Sequence, residues 1–267
     1  MTRPITDPAV IREMIGRLEN WYHQIELAPD IVTPGVHPSR QELARLDSIG
    51  LPRDARGLRV LDIGARDGFF SFEMARRGAE VVAADYANPI GTGFRIAAEI
   101  LGSPLTCQVK NVYNVRPEAD GLFDVVLFLG VLYHLRNPLL AIDQLRSVLK
   151  PAGQLFVTTH LASEPRVKDM DLPLWQLLPR DSLAGDGTNK WIPNLPGLAL
   201  ALEESSLKVR DALAPPPGTF AYVRAQAAGD ESLAFFRMLD SSEGVWGDGS
   251  RRRTQIVDEN AKPESSG

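Results

Sequence analysis

A chain of 267 residues with 44% hydrophobic and 24% charged side chains has the composition of one globular domain with some decoration, since domains run to about 50–250 residues. Its formal net charge of −5 leaves no overall electrostatic footprint for a long polyanion, whose binding rests on Lys and Arg displacing counterions from phosphates. The single cysteine, Cys107, rules out an intrachain disulfide, and His23, His37, His134 and His160 lack the paired spacings of zinc sites, so neither a metal site nor an oxidising compartment is expected.

No apolar run approaches the roughly 18 residues of a membrane span, and the N-terminus lacks a signal-peptide core, which sets a cytoplasmic expectation. Asp7-Pro8 reads as an N-cap followed by proline at the first helical position. Ile11, Met14, Ile15, Leu18, Tyr22 and Ile25 then recur at helical spacing, which predicts an amphipathic helix ending near Trp21, Tyr22 and His23. A Pro/Gly loop over 30–38 leads to a short helix through Leu43 and Leu46 that stops near Gly50. Residues 1–57 are thus expected to form an N-terminal helical extension or cap.

From Leu58 onward short apolar runs alternate with helical segments. The runs are Leu58–Ile63, Glu80–Ala84, Leu105–Val109, Phe123–Leu129 and Gln154–Thr159, with helical patterns at about 69–77, 90–101 and 138–149 between them. Such alternation predicts a Rossmann-like α/β fold, doubly wound around a mostly parallel sheet buried on both faces. Asn137-Pro138 starts the last of these helices, and Lys150-Pro151-Ala152-Gly153 is expected to close it before the fifth strand. Residues 161–194, including Trp175 and Trp191, show no clear period and read as a substrate-side lid. A helix near 197–204 and two more runs, Leu207–Leu213 and Phe220–Ala225, predict an antiparallel pair completing seven strands. The main domain then spans 58–228, and 229–267 is expected to hold a C-terminal helix and a disordered tail.

The chemistry concentrates at Val60-Leu61-Asp62-Ile63-Gly64-Ala65-Arg66-Asp67-Gly68-Phe69-Phe70, a strand running through a glycine loop into a helix. Glycines at such a turn let backbone approach a ligand, and the helix N-terminus offers unpaired N–H groups. The next strand ends at Asp85-Tyr86, 17 positions from Gly68 to Asp85. A carboxylate there can accept hydrogen bonds from both hydroxyls of a ribose.

This pair of motifs resembles the first two motifs of class I S-adenosylmethionine (SAM)-dependent methyltransferases. The resemblance continues through Phe123–Leu135 and Lys150–Gly153, and it covers residues 58–160 in order. It implies SAM as the cofactor, with Asp62, Gly64, Ala65, Gly68 and Asp85 at its site. Tyr86, next to Asp85, is also a cofactor-binding candidate, Asn111-Val112-Tyr113 fall where related folds recognise adenine, and Phe69 and Leu129 suit apolar walls. Arg66 replaces the usual middle glycine and points either to the methionine carboxylate or to solvent.

Trp21, Tyr22 and His23 are expected to cap the pocket, with a packing stripe as the alternative for Tyr22. Tyr133 and His134, past the fourth strand, are the catalytic candidates. His134 either takes an acceptor proton, as its near-neutral pKa allows, or merely shapes its loop, and Tyr133 either lines the sulfonium pocket, bonds the acceptor or packs. His160 is a weaker candidate for the acceptor side.

A narrower similarity, carried by Gly130–Leu139, Trp21–Leu27 and Lys190–Asn194, is to the group containing the tRNA wobble-uridine carboxymethyltransferase and its shorter methyltransferase relatives. Of the contacts that would hold carboxy-SAM only Tyr133 is matched, and the basic partners are missing near Val32–Pro38 and before Phe220, which points to ordinary SAM. The leading expectation is methyl transfer to a small-molecule acceptor such as a sugar, glycolipid or secondary-metabolite hydroxyl. The alternatives are a tRNA methyl- or carboxymethyltransferase, using a local patch of Arg40, Arg45, Arg53, Arg56 and Arg59, and a non-catalytic SAM-binding module. Oligomeric state has no signature in the sequence.

Overall fold

A computed structural model describes residues 3–168 and 170–229; the expected C-terminal helix and tail lie outside the described residues. Helix α1 (Pro8–Gly16) starts where Asp7 accepts the Ala9 N–H at 2.8 Å with proline at N1. It ends well short of the sequence expectation. Gly16 costs about 1 kcal/mol in a helix relative to alanine, and further on the Asp67 carboxylate takes the backbone N–H groups of Tyr22 and His23. Trp21, Tyr22 and His23 therefore stand on an extended segment. That segment leads into a small hairpin of β1 (Glu26–Ala28) and β2 (Ile31–Val32), and α2 (Ser39–Ser48) follows.

The main sheet begins with β3 (Arg59–Ile63), α3 (Phe69–Arg76) and β4 (Glu80–Asp85). The single helix expected over 90–101 is divided into α4 (Pro89–Thr92) and α5 (Phe94–Leu101). Gly93 between them has φ +91°, and a Cβ there would sit 2.7 Å from the Trp21 ring, so the break is where the N-terminal segment presses in. Strand β5 (Cys107–Val109), a turn of α6 (Pro117–Asp120), β6 (Phe123–Leu129), α7 (Pro138–Ser147) and β7 (Leu149–His160) follow. Phe123 pairs with Leu149 while Val125 pairs with Gln154. The Lys150–Gly153 segment is therefore a bulge inside β7 and not a turn ahead of it.

The long aperiodic stretch contains α8 (Pro165–Lys168) and a hairpin of β8 (Trp175–Leu177) and β9 (Trp191–Pro193). Helix α9 (Leu195–Glu204), β10 (Leu207–Leu213) and β11 (Phe220–Ala227) complete the described chain.

The seven strands lie in the order β10-β11-β7-β6-β3-β4-β5, with β11 antiparallel to both of its neighbours, β10 and β7, and the other pairs parallel. Alternate residues of β3 serve opposite faces. Leu61 and Ile63 pack with α7 and α9 through Ile142, Leu145, Leu198 and Leu202, while Val60 packs with α2 and α3 through Leu46, Phe70 and Met74. Because β3 sits between β4 and β6, the chain leaves it toward both sheet edges, and the crevice beyond the strand carboxyl ends opens there. Among the described residues no helix is long and apolar enough to cross a membrane.

Candidate active site

A cavity of about 540 Å³ fills that crevice. One wall comes from the ends of β3 and β4. Gly64 has φ +84° and Gly68 φ +91°, and Arg66 between them is itself left-handed at φ +53°, a backbone that favours glycine at the first two places. A Cβ on Gly64 would meet Val131 Cγ2 at 2.3 Å, so the loop and the end of β6 approach as closely as backbone permits.

Asp85, 5% exposed, holds this loop in shape: Oδ2 accepts the Arg66 N–H at 2.9 Å and Oδ1 the Ala87 N–H at 2.8 Å. A carboxylate has about four lone-pair sites, so each oxygen can still accept from a ligand. Asp62, 3% exposed, accepts from Ser71 Oγ at 2.6 Å. Burial pushes its carboxyl up to about 6, against the Ser71 bond and the facing His23.

Arg66 Nε is buried in the cavity wall without a hydrogen-bond partner, and its guanidinium lies 5.9 Å from the Tyr22 ring centroid. An unpaired cationic donor in such a place calls for an anion.

The N-terminal segment covers this wall through one carboxylate. Fully buried Asp67 accepts the N–H groups of Tyr22 (2.9 Å) and His23 (2.8 Å) with Oδ2, and its Oδ1 pairs with His23 Nδ1. The imidazole then stacks on Phe69, centroids 5.7 Å apart.

The opposite wall is built from the end of β6, β7 and the segment 161–194 that the sequence suggests as a lid, hereafter the lid. Tyr133 is buried, and its phenol and that of Tyr22 influence each other across the cavity. Burial raises both phenols, Tyr22 to about 12, so neither is a phenolate near neutrality. Burial also lowers His134, with Lys190 acting in the same sense and Asp186 against it. The imidazole is therefore neutral at pH 7 and able to accept a proton.

The lid docks on these residues by the Lys190 N–H to the Tyr133 carbonyl (2.7 Å) and by Thr188 Oγ1 to His134 Nδ1 (2.8 Å). Trp191 donates its indole N–H to the Arg136 carbonyl, and Trp175 donates to that of Gly197. Asn194, 1% exposed, clasps the lid base, its carboxamide donating to Leu172 O at 2.8 Å and accepting from Leu174 and Gly197 N–H.

Of the residues singled out in the sequence, Asp62, Gly64, Ala65, Arg66, Asp85, Tyr86, Leu129, Tyr133, His134 and Tyr22 line the cavity. Others stand elsewhere. Trp21 is 3% exposed and packs against Gly93, its indole donating to Ile15 O. Phe69 lies under His23 as core, and Gly68 sits against Phe72 and Phe94. Val112 is buried in the core, and Asn111 spends its side-chain oxygen capping its own turn at Tyr113 N. His160 is wedged between the Tyr133 and Phe220 rings.

Sequence reasoning missed His37, Glu42, Thr158, Thr188 and Lys190, which also line the cavity. His37 Nδ1 is buried 3.2 Å from Glu42 Oε1 without hydrogen-bond alignment. Nothing in the local pattern marks these residues, because the backbone brings them in from three separate segments, 37–42, Thr158 in β7 and 188–190.

The fold and its sequence have known counterparts. A model of the methyltransferase domain matches residues 35–212. A ubiquinone biosynthesis O-methyltransferase of Xanthomonas euvesicatoria pv. vesicatoria is 35% identical over 115 residues, 43% of this chain and 48% of that protein, and one from Xanthomonas campestris pv. campestris is 36% identical over the same length. The chain thus spans about half the length of these curated relatives.

Among solved structures, the N-terminal domain of EvdMO1 in the presence of SAH and D-fucose superposes with a TM-score of 0.60 at 19% identity, covering 85% of this chain and 98% of that one. An S-adenosylmethionine-dependent methyltransferase structure from Listeria monocytogenes gives 0.53 at 15%, covering 72% and 100%. These two share the fold. With well over half of its length matched, the chain belongs to the methyltransferase-domain family, the Rossmann-like proteins that work with SAM.

Proposed function

We propose that the protein transfers a methyl group from SAM to a hydroxyl of a small-molecule acceptor. The observation that carries this reading is one cavity in which the Asp85–Gly64 wall faces a neutral, oriented His134.

The residues fit SAM on two counts. Asp85 keeps free lone pairs for a ribose, and Arg66 Nε lacks a partner that the methionine carboxylate would supply. Asp62 would take the cationic α-amino end, and Tyr86, three quarters exposed at the cavity edge, would flank the adenosine. When bound, SAM supplies a methyl carbon on a cationic sulfur. The protein's part is positioning and deprotonation: Tyr133 and Leu129 wall the reacting region, and His134 accepts the proton of the acceptor hydroxyl.

A volume of about 540 Å³ lies in the range of small-ligand sites. The names of the curated relatives, O-methyltransferases, support an oxygen acceptor, and the D-fucose in the EvdMO1 structure makes a sugar a rational probe beside catechols. The acidic overall balance favours these over tRNA.

Calorimetric titration with SAM, S-adenosylhomocysteine and carboxy-SAM tests the reading. Micromolar binding of SAM, followed by methylation of a catechol or D-fucose probe, is expected. Absence of SAM binding overturns the cofactor assignment. Preference for carboxy-SAM replaces methyl by carboxymethyl transfer, the narrower resemblance of the sequence.

A further inference from the structure

Thr188 Oγ1 lies 2.8 Å from His134 Nδ1 and 2.6 Å from Asp186 Oδ1, and that same carboxylate oxygen accepts the Thr188 backbone N–H at 2.8 Å. A hydroxyl has one hydrogen to donate and lone pairs to accept with. Asp186 is ionised, its carboxyl held below the usual range chiefly by the Thr188 side-chain bond, so it can only accept. The hydroxyl hydrogen therefore goes to Asp186, and the Thr188 oxygen accepts from His134. That fixes the neutral imidazole with its proton on Nδ1 and its lone pair on Nε2.

We propose that Thr188, backed by Asp186, is a positioning residue that sets the tautomer of His134 and makes Nε2 the proton acceptor when the lid turn is docked. The inference rests on the methyl-transfer reading and deepens it. As the acceptor oxygen bonds the methyl carbon and the carbon–sulfur bond breaks, the hydroxyl proton passes to His134 Nε2 and the sulfur keeps the electron pair. The imidazolium so formed has both nitrogens protonated, and its Nδ1–H still points through Thr188 toward the Asp186 charge. Lid and base are thereby one unit, since the turn carrying Asp186, Thr188 and Lys190 also bonds the Tyr133 carbonyl through the Lys190 N–H. The ionisable neighbours of His134 are Asp186 and Lys190 from the lid, Tyr133 beside it with ring centroids 4.3 Å apart, and His160 from β7.

Long-range proton–nitrogen NMR of the full, nitrogen-15-labelled chain at pH 8 reads the tautomer without an acceptor, with His134→Gln assigning the signals. The wild type is expected to show Nδ1 protonated and Nε2 bare; Thr188→Val should lose that pattern and Thr188→Ser keep it. A wild-type His134 protonated on Nε2, or a Thr188→Val spectrum unchanged from wild type, overturns the proposal.

With catechol or D-fucose as probe, Thr188→Val should lower kcat on the order of tenfold or more, part of the 10²–10⁴ of a general base. KM for SAM and calorimetric affinity for S-adenosylhomocysteine should stay unchanged, and Thr188→Ser should recover most of the rate. Wild-type kcat rises with pH through the His134 pKa. Asp186→Asn removes the negative charge that supports the imidazolium, so that limb should move to lower pH. Unchanged kcat in Thr188→Val, with SAM bound normally, sinks the positioning role alone, whereas failure of the wild type to bind SAM sinks the methyl-transfer reading.

Discussion

The two walls of the cavity are held in different ways. On the wall formed by β3 and β4, Asp85 and Asp62 are tied to groups within 19 residues of themselves in sequence, Arg66, Ala87 and Ser71, and they are set before any ligand or lid arrives. On the other wall, His134 depends on Thr188, 54 residues away, and the lid that carries Thr188 depends on Asn194 at its base. A wall made of local bonds is rigid and serves a cofactor of fixed shape. A wall made of distant contacts on a loop can be remodelled while the first stays intact, which suits a variable acceptor.

Separating the two walls by mutation gives the largest effects first. Asp85→Ala removes an acceptor from the loop and from the ribose together. With charged hydrogen bonds worth about 1.5–3 kcal/mol each, SAM affinity should fall by about 100-fold or more in calorimetry, and retained affinity would break the assignment of that wall.

Asn194→Ala should act on the other wall only. Losing a buried carboxamide that serves several backbone groups costs about 1–3 kcal/mol, so amide exchange over residues 172–191 should accelerate about tenfold while SAM affinity changes less than twofold. Equal loss of SAM binding would show that the walls are not independent.

The smallest effect concerns Asp62, raised to about 6 by burial. A cationic amino group prefers its ionised form, so at pH 5 binding must expel a proton and at pH 7 it need not. SAM affinity should therefore rise about tenfold from pH 5 to 7 and level off above. In Asp62→Asn that Asp62-linked rise should vanish.

The same contrast explains what the sequence disclosed. The sheet was legible because buried parallel strands demand continuous apolar runs, as in Phe123–Leu129, and the glycine loop was legible because φ above zero demands residues such as Gly64 and Gly68. Local periodicity failed where a distant group decided. Tyr22 and Ile25 extend the helical pattern of α1, yet the Asp67 carboxylate, more than forty residues on, holds the chain extended there. Asn111 sits at a plausible adenine position but turns its oxygen to Tyr113 N. Thr188 and His37 carried no signal, since a single polar residue in an aperiodic stretch has no pattern to break, and Lys190 stood out only as part of a segment resemblance that says nothing of the cavity. His134 was visible by its place after a strand, but its tautomer required the residue facing it.

The two ends of the lid lie side by side: the Ala162 N–H bonds the Pro193 carbonyl at 2.8 Å, just past the carboxyl end of the interior strand β7. Closing a loop whose ends already meet adds little entropy cost as its length changes. Residues 163–192 are in this sense a cassette with a clamped stem. Replacing them wholesale, with Asn194 and the β7 end kept, would exchange the acceptor preference of the protein while leaving its cofactor wall as a common chassis, and would give a set of chimaeras differing in substrate and alike in SAM affinity.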